Sequence, residues 1–525
     1  MSSDKGISSS LDQPKPKAPI DVLPDDILLE IFSLGARSSN NTSFSFRVST
    51  ICQSWRSLAI NNPCLWTALS VIITADVAPP PIPTGQSFDR SLVFPREVLI
   101  SERSGDQDID FSLEYESSGD DETEGFTEPH YLVLSQCLAD IAHRIRSFRA
   151  TTFDWPEMYH LCAWLKGIEM PHLEVCHLVA MCSEIRVYMP TYEDVLGPVH
   201  LLEYAQDDET LPVTSQDLLQ RGTLQYPALK YVRCAGIPMD WGLLCTSNLR
   251  ALCIQDQPAM ERPGTELLRG ILFNSKDTLE VLELSYAVGL YDEEPGDSPL
   301  SESRLTLPHV KQLKLTYYHP REAQHVLGAF DFPALCSVTM KSHNEDKDST
   351  IVLAELLQYV DVEQLLDVVL TGISLPQEDF PEQEVNGAEE ESLPLVLRFL
   401  RWLTRGNIHK LVLEYCCGDF LKFMNYRHES GGGEVNLAGL HALIVKVGTE
   451  DASVGIMSFV RDRLALGTVD GVYVGPVLEH MIVIVKPNVQ EEADSLGDLK
   501  LAKDGKKDSN TTEQAVKVEG TDAAD

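Results

Sequence analysis

Twelve cysteines, 14 histidines and 80 carboxylates lie along this 525-residue chain, and their spacing assembles no reacting constellation. No Cys-x-x-Cys pair of the zinc type occurs, and the adjacent Cys416 and Cys417 would point to opposite faces of a strand. The thiols are dispersed, several inside apolar strand-like runs, so they read as buried thiols in a reducing compartment. Phosphate-cradling glycine loops, a nucleophile elbow and paired metal-binding histidines are all missing. Gly431-Gly432-Gly433 sits in a polar stretch and reads as a flexible loop; Tyr317-Tyr318-His319 and Trp155-Pro156 read as packing residues beside strand ends. The expectation is a protein with no catalytic residue, metal or cofactor, which works by binding.

What it binds is bounded by charge. Eighty acidic against 42 basic residues leave a formal net charge of -38, which argues against general binding to nucleic acid or anionic membranes. The cations are nonetheless clustered. A pattern of the form apolar-x-x-apolar-x-apolar recurs, and its x positions carry Arg146, Arg149, Lys230, Arg233, Arg250, Lys311, Lys314 and Lys410 against Glu174, Glu280, Glu283 and Asp367. Of these, Lys230, Arg233, Arg250, Lys311 and Lys314 are the candidate target-binding residues. They are suited to an acidic or phosphorylated segment of a target protein through charge-assisted hydrogen bonds. The alternative is that they pair with acidic groups nearby.

The elements that must position these side chains come from the same pattern. It starts at Ile145, Leu173, Leu229, Leu249, Leu279, Val310, Leu335, Leu365, Ile408 and Leu440. Most intervals are close to one leucine-rich repeat unit, and the long one after Leu173 has room for a further unit near Leu201. Several units are announced by Met170-Pro171, Tyr226-Pro227, Leu307-Pro308 or Phe332-Pro333, where proline stops a helix and admits a strand. The regular pattern places Asn or Cys three residues after the last apolar position; only the unit at Ile408 complies, with Cys416. Other hydrogen bonds must then hold the turns. The expectation is an α/β fold whose repeat part is an irregular leucine-rich-repeat-like solenoid, a distorted horseshoe with insertions at Leu290 to Ser303 and Leu375 to Ser392.

Ahead of the repeats, Leu23-Pro24-Asp25-Asp26 opens a helix: Pro24 suits its start, and two aspartates in the first turn complement the helix dipole. Ile27, Leu28, Ile31, Phe32 and Leu34 come next at helical spacing; after an SSNNTS loop, Ile51, Trp55, Leu58 and Ala59 repeat it, with a shorter helix around Phe44 to Ser49. A segment of about fifty residues is at the lower limit for an adequate core. With apolar residues on more than one side of its helices, it calls for a partner. From Val98 the chain reads strand, turn, strand, and Tyr131 to Ile145 reads as a helix.

Leu23-Pro24, Ile27, Leu28, Ile31, Val48-Ser49, Cys52, Trp55-Arg56, Leu58-Ala59 and Leu65-Trp66 together resemble the F-box. The whole resembles fungal F-box proteins with a degenerate leucine-rich C-terminal region, including the Glu102-Arg103-Ser104-Gly105 turn. The resemblance implies a three-helix F-box that binds the small Skp-type adaptor and, through it, a cullin. Its adaptor-facing pattern falls on Leu23, Pro24, Ile27, Leu28, Ile31, Val48, Cys52, Trp55 and Leu58. The function implied is substrate recognition in a Skp-cullin-F-box ubiquitin ligase, the repeat domain binding a target; the alternative is a non-catalytic scaffold that uses the F-box for assembly alone. The expected organisation is disorder over 1-18, F-box over 19-68, a linker and first strand over 69-97, and the solenoid over 98-487 with an acidic loop at 116-128. A disordered acidic tail over 488-525 completes it. Within that tail Val516-Lys517-Val518-Glu519 fits a short consensus for a small ubiquitin-like modifier, a pattern that arises more often by chance. With no long apolar run, the expected location is intracellular, cytoplasmic or nuclear, without membrane contact.

Overall fold

The computed structural model describes residues 20, 23–38, 43–74, 81–82, 89–116, 126–153, 155–163, 169–181, 226–237, 248–258, 262–289, 304–343, 349–373, 395–414, 442–447, 468–469, 472–473, 480–485 and 514–519. The expected insertions, the extra unit near Leu201, residues 1-18 and most of the acidic loop lie outside these residues. The chain divides into two compact units, Met1–Phe148 and Arg149–Asp525.

In the first unit, helix α1 (Asp25–Ser38) begins where Pro24 accepts the Leu28 N–H at 3.0 Å, with Asp25 and Asp26 in its first turn. Helix α2 (Ser43–Ile51) gives way at once to α3 (Gln53–Ile60), because Cys52 adopts an extended backbone (φ -153, ψ 170) and its Sγ accepts the Trp55 N–H. A 3-10 turn, Pro63–Trp66, then drives Trp66 into the core, where it is fully buried and its Nε1 donates to the Ala59 carbonyl at 2.9 Å. Phe46 meets the Trp66 ring edge-on at 5.1 Å, and the Arg103 guanidinium lies over it at 4.4 Å. Through these contacts one indole ties the helices to the segment that carries Arg103.

Strand β1 (Ala68–Thr74) runs parallel to β2 (Ile109–Glu116), from Ala68 opposite Asp110 to Thr74 opposite Glu116. The crossover carries helix α4 (Pro95–Arg103), in place of the strand expected from Val98. Val98-Leu99-Ile100 is too short an apolar run to separate strand from helix. Pro95 at the first helical position and Glu97 in the first turn decide for helix, and Ile100 is its buried anchor. Helix α5 (Glu128–Ile141) comes next, and β3 (Ile145–Thr152) straddles the division at Phe148.

The second unit is built on a parallel ladder. Its strands are β4 (Val175–Ala180), β5 (Tyr231–Ala235), β6 (Ala251–Gln255), β7 (Val281–Ser285), β9 (Gln312–Tyr317), β11 (Ser337–Ser342), β12 (Asp367–Thr371), β13 (Lys410–Glu414), β14 (Ala442–Val447) and β17 (His480–Val485). They pair parallel in that order. Four short strands pair apart from the ladder: β8 (Leu305–Thr306) with β10 (Phe330–Asp331) in parallel, and β15 (Thr468–Val469) with β16 (Val472–Tyr473) antiparallel. The register aligns two apolar rows: Val232, Leu252, Leu282 and Leu313 in one, Cys234, Ile254, Leu284 and Leu315 in the other, all buried. Between strands run helices Thr265–Ser275, Pro320–Ala329, Ser349–Tyr359 and Leu395–Arg405. This confirms a mixed α/β architecture with a large parallel sheet. Of the expected tail over 488-525 only β18 (Gln514–Glu519) is among the described residues, and it pairs antiparallel with β17. An edge strand presents unpaired backbone groups, and Val516 and Val518 favour an extended chain, so even this polar tail can add a strand.

Two devices recur where the strands begin and end. Met170-Pro171, Tyr226-Pro227, Leu307-Pro308 and Phe332-Pro333 each open a turn in which the first carbonyl accepts the N–H three residues on, at 3.1 to 3.4 Å. Proline thus occupies the second turn position, where its fixed φ is favoured. At the other end, the residue after the strand is left-handed in four units: Gly236 (φ 67), Asp256 (φ 51), Tyr286 (φ 52) and Gly372 (φ 64). Its N–H donates to the last carbonyl of the next strand, or for Tyr286 to the last but one (Thr316), at 2.8 to 3.0 Å. These backbone bonds hold the turns in the absence of an Asn or Cys ladder. A Cβ on Gly372 would stand 2.7 Å from the Ser342 carbonyl oxygen. Gly372→Val should therefore cost about 1–3 kcal/mol from the left-handed backbone and the clash, read as a lower urea midpoint at unchanged slope.

Candidate functional sites

Helix α1 divides its apolar residues between two faces. Leu28 and Phe32 are 4% and 2% exposed and belong to the core. Leu23, Ile27, Ile31 and Leu34 recur at spacings of four, four and three, which places them on one face, and they are 37%, 46%, 43% and 57% exposed. Ile51, at the end of α2, is 61% exposed. Single exposed apolar side chains are ordinary; five large ones between Leu23 and Ile51 are an uncovered surface.

The nine residues of the adaptor-facing pattern are accordingly split. Leu23, Pro24, Ile27, Ile31 and Cys52 are exposed, Cys52 also capping α3. Trp55 and Leu58 are half-buried: the Trp55 ring packs on Phe32 at 4.9 Å, and the Leu58 carbonyl accepts from Asn62 Nδ2. Leu28 and Val48 are buried and face no solvent. Leu34 and Ile51, absent from the pattern, are the most exposed of the group. Leu34 was legible as Ile31 plus three and Ile27 plus seven; nothing in the local sequence marks Ile51.

Within the second unit, the candidate target-binding cations sit on the strand face opposite the apolar rows or at strand entrances. Lys230 Nζ reaches Glu174 at 2.5 Å, Lys311 reaches Glu280 at 2.9 Å, and Lys314 pairs with Glu283. Each pair joins neighbouring strands, so three of the five cations are neutralised by carboxylates on the sheet itself. The hydrogen bond from Lys311 and its charge hold Glu280 below the usual carboxylate range. Arg250 lines an open hollow of about 230 Å³ with Asp277, Thr278, Glu280, His309 and Lys311. Arg233 donates from Nη2 and Nε to Gln255 Oε1 at 2.9 and 3.3 Å, a neutral partner. Beside it, in register on β4, stands His177. Burial, then the charges of Arg149 and Arg233, push its pKa down to about 4.

Elsewhere, burial raises the thiols of Cys162, Cys176 and Cys234 far above the range in which thiolates form. Among the described residues no group of three or more His, Cys, Asp or Glu side chains is arranged to hold a metal ion, and no helix is long and apolar enough to cross a membrane. Cys416, Cys417 and the triple glycine lie outside the described residues.

With the two-faced helix and the buried Trp66 in place, comparison with known families bears on the N-terminal part of the first unit. Residues 20–71 match the F-box-like family model. The F-box-like segment thus takes in α1, α2, α3, the Pro63–Trp66 turn and the first residues of β1. No curated protein matches the chain.

Two outcomes test these placements. Leu28→Ala or Val48→Ala should destabilise the F-box-like segment by about 1–5 kcal/mol, as for buried aliphatic truncation, whereas Ile27→Ala should change its stability by no more than about 0.5 kcal/mol; thermal melts of the three variants decide between core and surface. His177 has the opposite sign to a stabilising ion pair. The unfolded imidazole takes its proton near 6.5 and the folded one not until about 4, so the unfolded state binds more protons in between and stability falls as pH drops through that window. His177→Gln should lose less urea stability than the wild type between pH 7.5 and 5.5.

Proposed function

We propose that this chain is the substrate-recognition subunit of a Skp-cullin-F-box ubiquitin ligase, of the fungal F-box type. The F-box-like segment binds the Skp-type adaptor and, through it, a cullin; the second unit, read as a leucine-rich-repeat-like solenoid, binds a target protein. The chain does no chemistry itself. The observation that carries this reading is the uncovered face of Leu23, Ile27, Ile31 and Leu34 within a segment that matches the F-box-like model. F-box domains typically bind Skp-type adaptors, and an apolar helix face is what a partner groove takes up. Leu28 and Val48 act indirectly, by holding α1 so that this face points outward. Surface cations and carboxylates on the ladder supply polar contacts to a target.

The test uses residues that the fold does not need. Truncating a buried interface anchor commonly costs about 2 kcal/mol or more, well over tenfold in affinity. Ile27→Glu with Ile31→Glu should abolish co-purification of adaptor and cullin from cells while the thermal melt of the chain is unchanged. Adaptor and cullin recovered at wild-type level with the double variant would refute the assignment.

A further inference from the structure

On the strand face some cations are matched and others are not: among the described residues Arg149, Arg233, Arg250 and Lys410 make no ion pair, and of these Arg149 and Arg233 lie on the two strands that flank a third. Lys230, Lys311 and Lys314 each have a carboxylate on the adjacent strand. In a chain with 80 acidic and 42 basic residues, finding such a partner is easy. Arg149 and Arg233 nonetheless have none among the described residues: Arg233 is bonded to the neutral Gln255, and Arg149, exposed on β3, makes no ion pair there. The two occupy the strands on either side of β4. The Met181 N–H donates to the Thr152 carbonyl at 3.0 Å, which sets Arg149 level with His177, and His177 is the Cα partner of Arg233.

Arg233 is also aimed. Gln255 Oε1 accepts from its Nε and Nη2, and Gln255 Nε2 donates to Glu283 Oε1 at 2.6 Å, so the amide is fixed in one orientation. Glu283 in turn holds Lys314. That relay orients the guanidinium without neutralising it. Between the two guanidiniums the structure puts an imidazole rather than a third permanent cation or a carboxylate.

We propose that Arg149 and Arg233, with His177 between them, form an oxyanion site on the strand face of the second unit that takes an acidic peptide segment of the target. The shared chemistry is a carboxylate or phosphate group bridging two guanidiniums, the geometry in which arginine surpasses lysine. A short, locally anionic peptide fits better than a polyanion, because the net charge of -38 repels an extended nucleic acid or membrane. An oxyanion here offsets the two charges that disfavour protonation of His177, which makes that side chain a reporter of occupancy. The charged groups acting on it from the strands on either side are Arg149 and Arg233. This inference rests on the target-binding half of the proposed function and moves it from Lys311 and Lys314 to the other end of the ladder.

The experiment is fluorescence anisotropy with the full chain at low salt, using labelled hexaglutamate and the same peptide with a central phosphoserine. Either peptide should bind at one site, and whichever binds more tightly tells carboxylate from phosphate. Arg149→Gln with Arg233→Gln should weaken binding at least tenfold, Lys311→Gln with Lys314→Gln less than threefold, and Arg149→Lys with Arg233→Lys by an intermediate factor. In NMR spectra between pH 5 and 8, the His177 ring should stay neutral in the free protein and titrate upward, towards 6.5, with peptide bound. No binding by the wild type, equal losses in both glutamine pairs, or a His177 signal indifferent to bound peptide would each overturn the site. Adaptor co-purification with the Arg149→Gln, Arg233→Gln chain should be normal. Peptide binding without recovery of any adaptor would sink the ligase reading and leave the oxyanion site standing.

Discussion

The second unit depends on register. Two rows of buried side chains face the helices, and in a strand the side-chain period is two, so a slip of one residue would turn both rows outward and bring the charged row in. The penalty is large at every strand, and successive strands such as β6, β7 and β9 are held to the same alignment, Leu252 beside Leu282 beside Leu313. Once the apolar rows are aligned, the opposite face has no freedom left. Glu280 must meet Lys311, Glu283 must meet Lys314, and His177 must stand beside Arg233. The electrostatic pattern of the surface is thus a consequence of the packing beneath it.

That dependence explains what was legible in the sequence. The apolar spacing marks the strands because burial of alternate residues produced it, and the X-Pro pairs mark the entrances because proline suits the second position of a turn. The α/β class and the parallel ladder follow from these alone. The turn exits were not legible. Asp256 and Tyr286 adopt left-handed backbones that glycine would announce and they do not. The Tyr286 ring stacks on Tyr318 at 4.2 Å, just past the end of β9 and some thirty residues away in sequence, a contact the local sequence does not contain. Helix α4 escapes the sequence for a related reason: three consecutive apolar residues carry no period.

The helical segment shows a different limit. A motif records which residues recur and not what each one touches, so Leu28 and Val48 stand in it beside Leu23 and Ile27 although two are core and two are surface. Helical spacing separates them only when the buried face is known. Here Phe32 and the fully buried Trp66 identify that face, Phe32 through its contact with Trp55. Residues of the first kind fix the orientation of α1, and residues of the second kind use it.

The two candidate surfaces differ in how their free energy responds to conditions, and that difference separates their roles. An apolar helix face gains on burial in proportion to area and is little affected by salt. The strand face works through exposed charges whose interactions are screened over roughly 8–10 Å at ordinary ionic strength. Most of its ion pairs are exposed and individually worth at most about 1 kcal/mol, so they order the surface more than they stabilise it. A chain with net charge -38 repels acidic partners at long range, and only a site whose cations lack internal carboxylates can reverse that sign locally. Arg149 and Arg233 meet this condition where Lys230, Lys311 and Lys314 do not. An apolar helix face is therefore physically suited to lasting assembly, and unmatched guanidiniums to selective, salt-sensitive recognition, which is the division of labour the proposed function requires.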